Sequence, residues 1–156
     1  MKYLIIMRNL FFITILFISS STFAQISKLE TTKAEEIGKI APMGQFIIDC
    51  QKRGDTYTIM YKDWKFQYLD EYKQFSFKDE DDAFENLYQM IIDGFDNMPK
   101  EDIMLELPDD YLWLKFRKVM WVKQLSFGHS VDKNGSVIGY SRNLTKNNVQ
   151  TLFGKK

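Results

Sequence analysis

The sequence predicts an α+β fold: an antiparallel sheet covered on one face by a central amphipathic helix and a short C-terminal helix. Apolar and polar residues alternate through residues 46–69, and apolar residues recur at helical spacing through residues 84–95. Turn signals between the predicted strands are short. Parallel strands need long crossover connections, so a doubly wound parallel sheet is not expected.

The N-terminus has the pattern of a secretory signal peptide. Lys2 and Arg8 precede an uncharged apolar run, residues 10–18, and Ala24 fits the small residue before a cleavage site. The run is shorter than the roughly 20 residues that span a bilayer. We expect cleavage after Ala24 and a periplasmic or extracellular product. Gln25, not a cysteine, follows the cut, so no stable membrane anchor is expected after cleavage.

Composition predicts a single α+β domain over residues 25–156. Hydrophobic residues make up 45% of the chain and aromatic residues 15%, which is typical of a packed core. The 21 basic residues are balanced by 21 acidic ones, which argues against nucleic acid or an anionic membrane surface as partner. Cys50 is the sole cysteine, so no disulfide forms within the chain.

Two segments open the predicted domain. Thr32 and Glu35 could form the capping box of a short helix that ends before Pro42. A three-stranded meander follows, with two-residue turns at Arg53-Gly54 and Lys62-Asp63. In that register the apolar residues of all three strands share one face: Phe46, Ile48, Cys50, Tyr57, Ile59, Tyr61, Trp64, Phe66 and Tyr68.

A helix over residues 80–95 should cover that face, with Asp79 as its N-cap. A second β region begins at Ile103 and includes a long apolar stretch that we expect to break near Lys118. An Asn134-Gly135 hairpin would then pair His129 with Tyr140. Last comes a short helix that Thr145 caps, with these apolar residues: Val149, Leu152 and Phe153.

His129 is the only histidine and the one weak catalytic candidate, as a general base. The alternative is a histidine packed on a hairpin face. A thiol dyad of Cys50 with His129 is conceivable, but an apolar setting would leave Cys50 inert. The acidic residues 79–82 resemble a calcium ligand set, yet they also suit a first helical turn. No cofactor and no metal site are predicted.

Exposed aromatic side chains in an exported protein could stack on a sugar ring or anchor a peptide. Tyr72, Phe75 and Phe77 are the candidates for contact with a protein, peptide or glycan, and a core position is the alternative for all three. A basic stripe near Trp113 and Trp121 could meet acidic partners or be a solvated strand face. Its members are Lys115, Arg117, Lys118 and Lys123.

The sequence therefore predicts a small exported soluble protein that acts as a binding or interaction module. One alternative is an enzyme of unrecognised type that uses dispersed carboxylates or His129. The other is an oligomerising structural component with residues 72–77 at the contact.

Overall fold

The computed structural model describes residues 33–130, 133 and 138–156, and in these residues eight strands form two four-stranded antiparallel sheets. The first sheet has the order β1-β2-β3-β4: Glu35–Ile40, Ile48–Arg53, Thr56–Lys62 and Tyr72–Lys78. The second has the order β5-β6-β7-β8: Ile103–Glu106, Tyr111–Val119, Val122–Ser130 and Ile138–Tyr140. The helices are α1, Ala83–Asn97, and α2, Lys146–Leu152. The predicted α+β class is confirmed; the predicted signal peptide and the Asn134-Gly135 turn lie outside the described residues.

The first hairpin has the predicted inner face but a different register. Cys50 pairs with Ile59 and Ile48 with Tyr61, because the chain turns one residue later than predicted, at Gly54-Asp55. Gly54 has φ +63°, a conformation that glycine adopts without steric cost. This turn moves the pairing by two residues, which keeps side chains on the same face because strands have a period of two.

The predicted third strand is wrong. Asp63 caps a 3₁₀ turn, Trp64–Phe66, by accepting a hydrogen bond from the Lys65 amide at 3.0 Å. The capped turn leads the chain away from the sheet and leaves Trp64, Phe66 and Tyr68 exposed. The third strand of the meander is instead β4, which pairs Phe75 with Ile59 and Phe77 with Tyr57 on the buried face.

The predicted N-terminal helix is also wrong, since residues 35–40 form the edge strand β1. Helix α2 packs against this strand at Gly38. A Cβ at Gly38 would lie 2.0 Å from the Thr151 carbonyl oxygen, so only glycine permits this approach. Tertiary packing thus selects a strand where the local sequence suggests a helix.

Helix α1 is confirmed, with shifted ends. A 3₁₀ turn, Glu80–Asp82, precedes its first residue, and Asp79 accepts a hydrogen bond from the Phe84 amide at 3.0 Å. The apolar stripe of the helix is buried: Phe84, Leu87, Ile91 and Phe95. Helix α2 is confirmed with its cap, because the Thr145 and Asn148 side chains satisfy each other's backbone amides.

The second sheet confirms one prediction and corrects another. The long apolar stretch breaks close to Lys118, as predicted: β6 ends at Val119, the chain turns at Met120 and Trp121, and β7 begins at Val122. His129 pairs with Gly139 instead of Tyr140. A Cβ at Gly139 would lie 2.5 Å from Lys73 Cδ, so a tyrosine side chain has no room in that inward position.

One core joins both sheets and both helices. Phe75 of the first sheet lies 5.6 Å from Phe127 of the second, measured between ring centroids. Phe84 of α1 stacks on Tyr57 at 3.9 Å and on Phe153 at 4.9 Å. Over the described ranges, no helix has the length and apolar character needed to cross a bilayer.

Candidate functional site

A groove opens beside the 3₁₀ turn that replaces the predicted third strand. It has a volume of about 500 Å³ and lies between the β1–β2 connection, the start of β4 and the segment after β8. We call it the aromatic groove. Its lining residues are Gly44, Gln45, Phe46, Ile47, Lys62, Trp64, Gln67, Asp70, Tyr72 and Arg142.

Three aromatic side chains give the groove its apolar surface. Trp64 and Tyr72 are each 46% exposed, and Phe46 is half-buried. The Phe46 and Tyr72 rings meet edge to face at 5.5 Å between centroids. The groove therefore offers partly open ring surfaces whose positions are supported by packing.

The charges of the groove leave one cation without an acidic partner. Lys62 Nζ lies 3.0 Å from Asp70 Oδ1, so these two neutralise each other. The Arg142 guanidinium lies 5.4 Å from the Trp64 ring centroid, and among the described residues no carboxylate pairs with it. Arg142 therefore gives the groove a local positive charge beside an aromatic ring.

Asp63 is buried and directly precedes Trp64, which lines the groove. This buried carboxylate accepts hydrogen bonds from the amides of Lys65 at 3.0 Å and Tyr140 at 3.1 Å. Its other oxygen forms an ion pair with Lys73 Nζ at 2.6 Å, at an angle outside ideal hydrogen-bond geometry. Burial alone would raise the pKa of Asp63, but Lys73 and the two amides lower it below its usual value.

The partners of Asp63 explain why the groove residues converge. Trp64 follows Asp63 in the 3₁₀ turn, Tyr72 precedes Lys73 in β4, and Arg142 comes shortly after Tyr140. One buried carboxylate thus ties together the three chain segments that carry the ring surfaces and the cation. Such rigid support reduces the ordering cost of binding.

His129, the predicted general-base candidate, lies in a second buried polar cluster. Its Nδ1 atom is 3.1 Å from the Tyr61 hydroxyl, and its Nε2 atom is 3.2 Å from Asp110 Oδ2. The latter contact lacks the alignment of a straight hydrogen bond. Burial lowers the pKa of His129, which Asp110 opposes in part, and burial raises the pKa of Tyr61. The ring is fully buried, so a substrate cannot reach it in this conformation.

Cys50 occupies the predicted apolar position. It is fully buried, and burial, assisted by the charge of Asp49, raises the pKa of its thiol to about 12. The hydrogen bonds of His129 go to Tyr61 and toward Asp110, and none joins it to Cys50. The thiol is therefore protonated near neutral pH, as expected of a cysteine in an apolar core.

Of the three predicted contact residues, one lies at the groove and two lie in the core. Tyr72 lines the aromatic groove, whereas Phe75 and Phe77 are 1% and 8% exposed and belong to the core. The apolar alternation of the sequence predicts a core position for Trp64, and no sequence pattern singles out Arg142. Asp63 is the sequence feature that could have indicated a turn before Trp64, because aspartate commonly starts turns. Arg142 had no local cue, because its partners in the groove are distant in sequence.

The acidic residues 79–82 lie at the start of α1, where Glu80–Asp82 forms the 3₁₀ turn. Across residues 33–130, 133 and 138–156, no group of three or more carboxylate, histidine or cysteine side chains is placed to hold a metal ion. Comparison of the chain with protein-family models, with curated proteins and with solved structures finds no match. The chemistry of the groove is therefore the basis for a functional proposal.

Proposed function

We propose that the chain is a small exported binding module and that the aromatic groove is its ligand site. One observation carries the proposal: half-exposed Trp64 and Tyr72 converge in one concavity with Arg142, a cation that no carboxylate of the described residues pairs with. The groove volume of about 500 Å³ falls within the range of small-ligand sites. The buried ion pair of Asp63 and Lys73 is adjacent in sequence to Trp64 and Tyr72 and supports their positions.

The ligand that fits this lining best is an acidic carbohydrate. Trp64 and Tyr72 offer ring surfaces for the apolar face of a sugar, and the Arg142 guanidinium suits a carboxylate. Gln45 and Gln67 add hydrogen-bond donors and acceptors for hydroxyl groups.

Peptide binding by strand addition has less support at this groove. The Ile47 amide donates to the Ile40 carbonyl at 3.0 Å, and the Lys62 amide donates to the Ile47 carbonyl at 2.9 Å. These backbone groups of the groove wall are already paired. Strand addition requires free backbone donors and acceptors at a sheet edge. The groove thus favours recognition through side chains.

Calorimetric titration with an oligouronate and a neutral oligosaccharide of equal length tests the proposal. We expect Trp64→Ala to weaken binding of the oligouronate at least about tenfold, because stacking area is lost. Arg142→Gln should weaken it roughly tenfold or more, because a charge-assisted hydrogen bond is lost, and should leave binding of the neutral sugar unchanged.

Tyr68→Ala is the matched control. Tyr68 is an exposed aromatic residue close to Trp64 in sequence but outside the groove lining, so its replacement should leave the affinity unchanged. Equal effects of the Trp64 and Tyr68 substitutions would contradict the proposed site. If a carboxylate-bearing aromatic peptide bound and neither sugar did, the proposed ligand class would be wrong and the groove would remain the binding site.

A further inference from the structure

The β6–β7 hairpin ends in a fully apolar tip. Four consecutive large side chains are exposed there, and none of them lines the aromatic groove. Met120 and Trp121, the two turn residues, are 87% and 89% exposed. Val119 and Val122, which form the last strand pair, are 50% and 48% exposed. We call these four residues the apolar tip.

Met120 and Trp121 are unfavourable residues for a hairpin turn. Met120 has φ +54°, in the left-handed region that two-residue hairpin turns fill with asparagine or glycine. A methionine there carries a steric cost, and two large apolar side chains in water add a solvation cost. Residues that disfavour the local conformation and add no stabilising contact are often found at functional sites.

The charge of the hairpin is one-sided. Residues 111–130 contain four basic residues and no acidic residue. Lys115 pairs with Asp102, and Lys123 donates to the Phe95 carbonyl at the end of α1. Arg117 and Lys118 remain, both exposed, and no carboxylate among the described residues pairs with either. Successive strand residues point to opposite faces, so these two cations flank the ribbon on both sides.

We propose that the apolar tip docks reversibly on an anionic lipid surface. The tip side chains would enter the boundary between headgroups and acyl chains, where tryptophan is favoured. Arg117 and Lys118 would then meet lipid phosphates. A lipid surface surrounds an inserted tip and contacts both faces of the ribbon, whereas a protein patch packed on one face would leave one of the two cations unused.

The near-neutral charge of the whole chain argues against a broad electrostatic contact with a membrane, so the inferred contact is confined to the end of the hairpin. There, apolar insertion is combined with adjacent cations, two signals that together strengthen membrane binding. Each exposed cation near an anionic surface contributes about fivefold in affinity. We therefore expect binding that depends on anionic lipid and falls with added salt.

Vesicle co-sedimentation tests the inference, with the processed chain isolated from an expressing bacterium and its N-terminus determined by mass spectrometry. The vesicles contain phosphatidylglycerol and phosphatidylcholine in equal parts, or phosphatidylcholine alone. The double variant Met120→Gly with Trp121→Ser puts glycine at the turn residue that has a positive φ, so it should fold as well as the parent. We expect it to bind the anionic vesicles at least about tenfold more weakly.

A second variant tests the cations: Arg117→Gln with Lys118→Gln should bind anionic vesicles roughly 25-fold more weakly and neutral vesicles unchanged. A vesicle-induced blue shift of tryptophan fluorescence should disappear with the first variant. Equal vesicle binding by parent and turn variant would overturn the inference. The inference would also be overturned if the parent bound neither kind of vesicle and instead self-associated through the tip. In that case the turn variant would have a lower mass in solution than the parent.

Discussion

At the residue scale, Asp63 does more than close a turn. It is buried, and its contacts reach the 3₁₀ turn, β4 and β8 at once. The same residue redirects the chain away from the predicted third strand and holds Trp64 at the groove. A single capping side chain thus accounts both for the main difference from the predicted meander and for the groove that replaces it.

Replacing Asp63 with asparagine should lower the free energy of unfolding by about 3 kcal/mol, because it leaves Lys73 largely buried without a counter-charge. Urea unfolding of the variant measures this loss. Asp63→Asn combined with Lys73→Met should recover part of the loss, since no unpaired charge remains. A single variant as stable as the parent would show that the ion pair is unimportant.

His129 makes stability depend on pH. Its pKa is lowered in the folded protein from the ordinary value of 6.5, mainly by burial. The unfolded chain therefore binds the proton more readily than the folded chain. The contribution of neutral His129 to the free energy of unfolding is fully present above about pH 6.5 and decreases as the pH falls below that value. His129 is the only histidine, so no other side chain has its ordinary pKa in this window.

Urea midpoints measured between about pH 7 and about pH 5 test this dependence. The parent should lose stability over that range. His129→Gln should be less stable at the upper end, because the contact with Tyr61 changes, and should show a flatter pH profile. Parallel profiles for the two proteins would mean that another group titrates.

At the element scale, hydrophobic periodicity predicted the correct secondary structure for segments whose apolar residues recur at one clear spacing. The stripes of α1 and α2 and the alternation of β6 predicted their type and buried faces. Periodicity failed where two segments had the same alternation. Trp64 and Phe66 match the strand pattern as well as Phe75 and Phe77 do, and only pairing with β3 decides between them.

Strand β1 shows the opposite failure. Its sequence is mostly polar and its side chains are exposed or half-buried, so no apolar alternation marked it. Pairing with β2 and packing under α2 at Gly38 define it instead. Long-range contacts of this kind leave no local pattern in the sequence.

Gly38→Ala tests that packing. The new Cβ would meet the backbone carbonyls of Thr151 and Leu152, so α2 must shift, and we expect a loss of about 1–3 kcal/mol in the free energy of unfolding. Chemical denaturation measures it. Glu36→Ala, an exposed change in the same strand, is the control and should have little effect. An unchanged Gly38→Ala variant would place α2 elsewhere.

At the scale of the whole molecule, the core and the aromatic groove are built by opposite rules. The core collects apolar residues that their own periodicity marks, whereas the groove collects residues from four separate segments: Phe46, Trp64, Tyr72 and Arg142. Of these four, only Tyr72 could be predicted as a contact residue. The sequence has no spacing that could reveal the others, because their meeting depends on how Asp63 joins β4 and β8.

The most direct test of the proposed ligand site is nuclear magnetic resonance mapping of the isotopically labelled chain during titration with an oligouronate. We predict that the signals of the Trp64 indole, the Arg142 guanidinium and the Tyr72 amide shift together and saturate at one concentration. Signals of the apolar tip at Trp121 should stay in place. Saturable shifts that fall outside the aromatic groove, or no shifts with any acidic sugar, would contradict the proposed function.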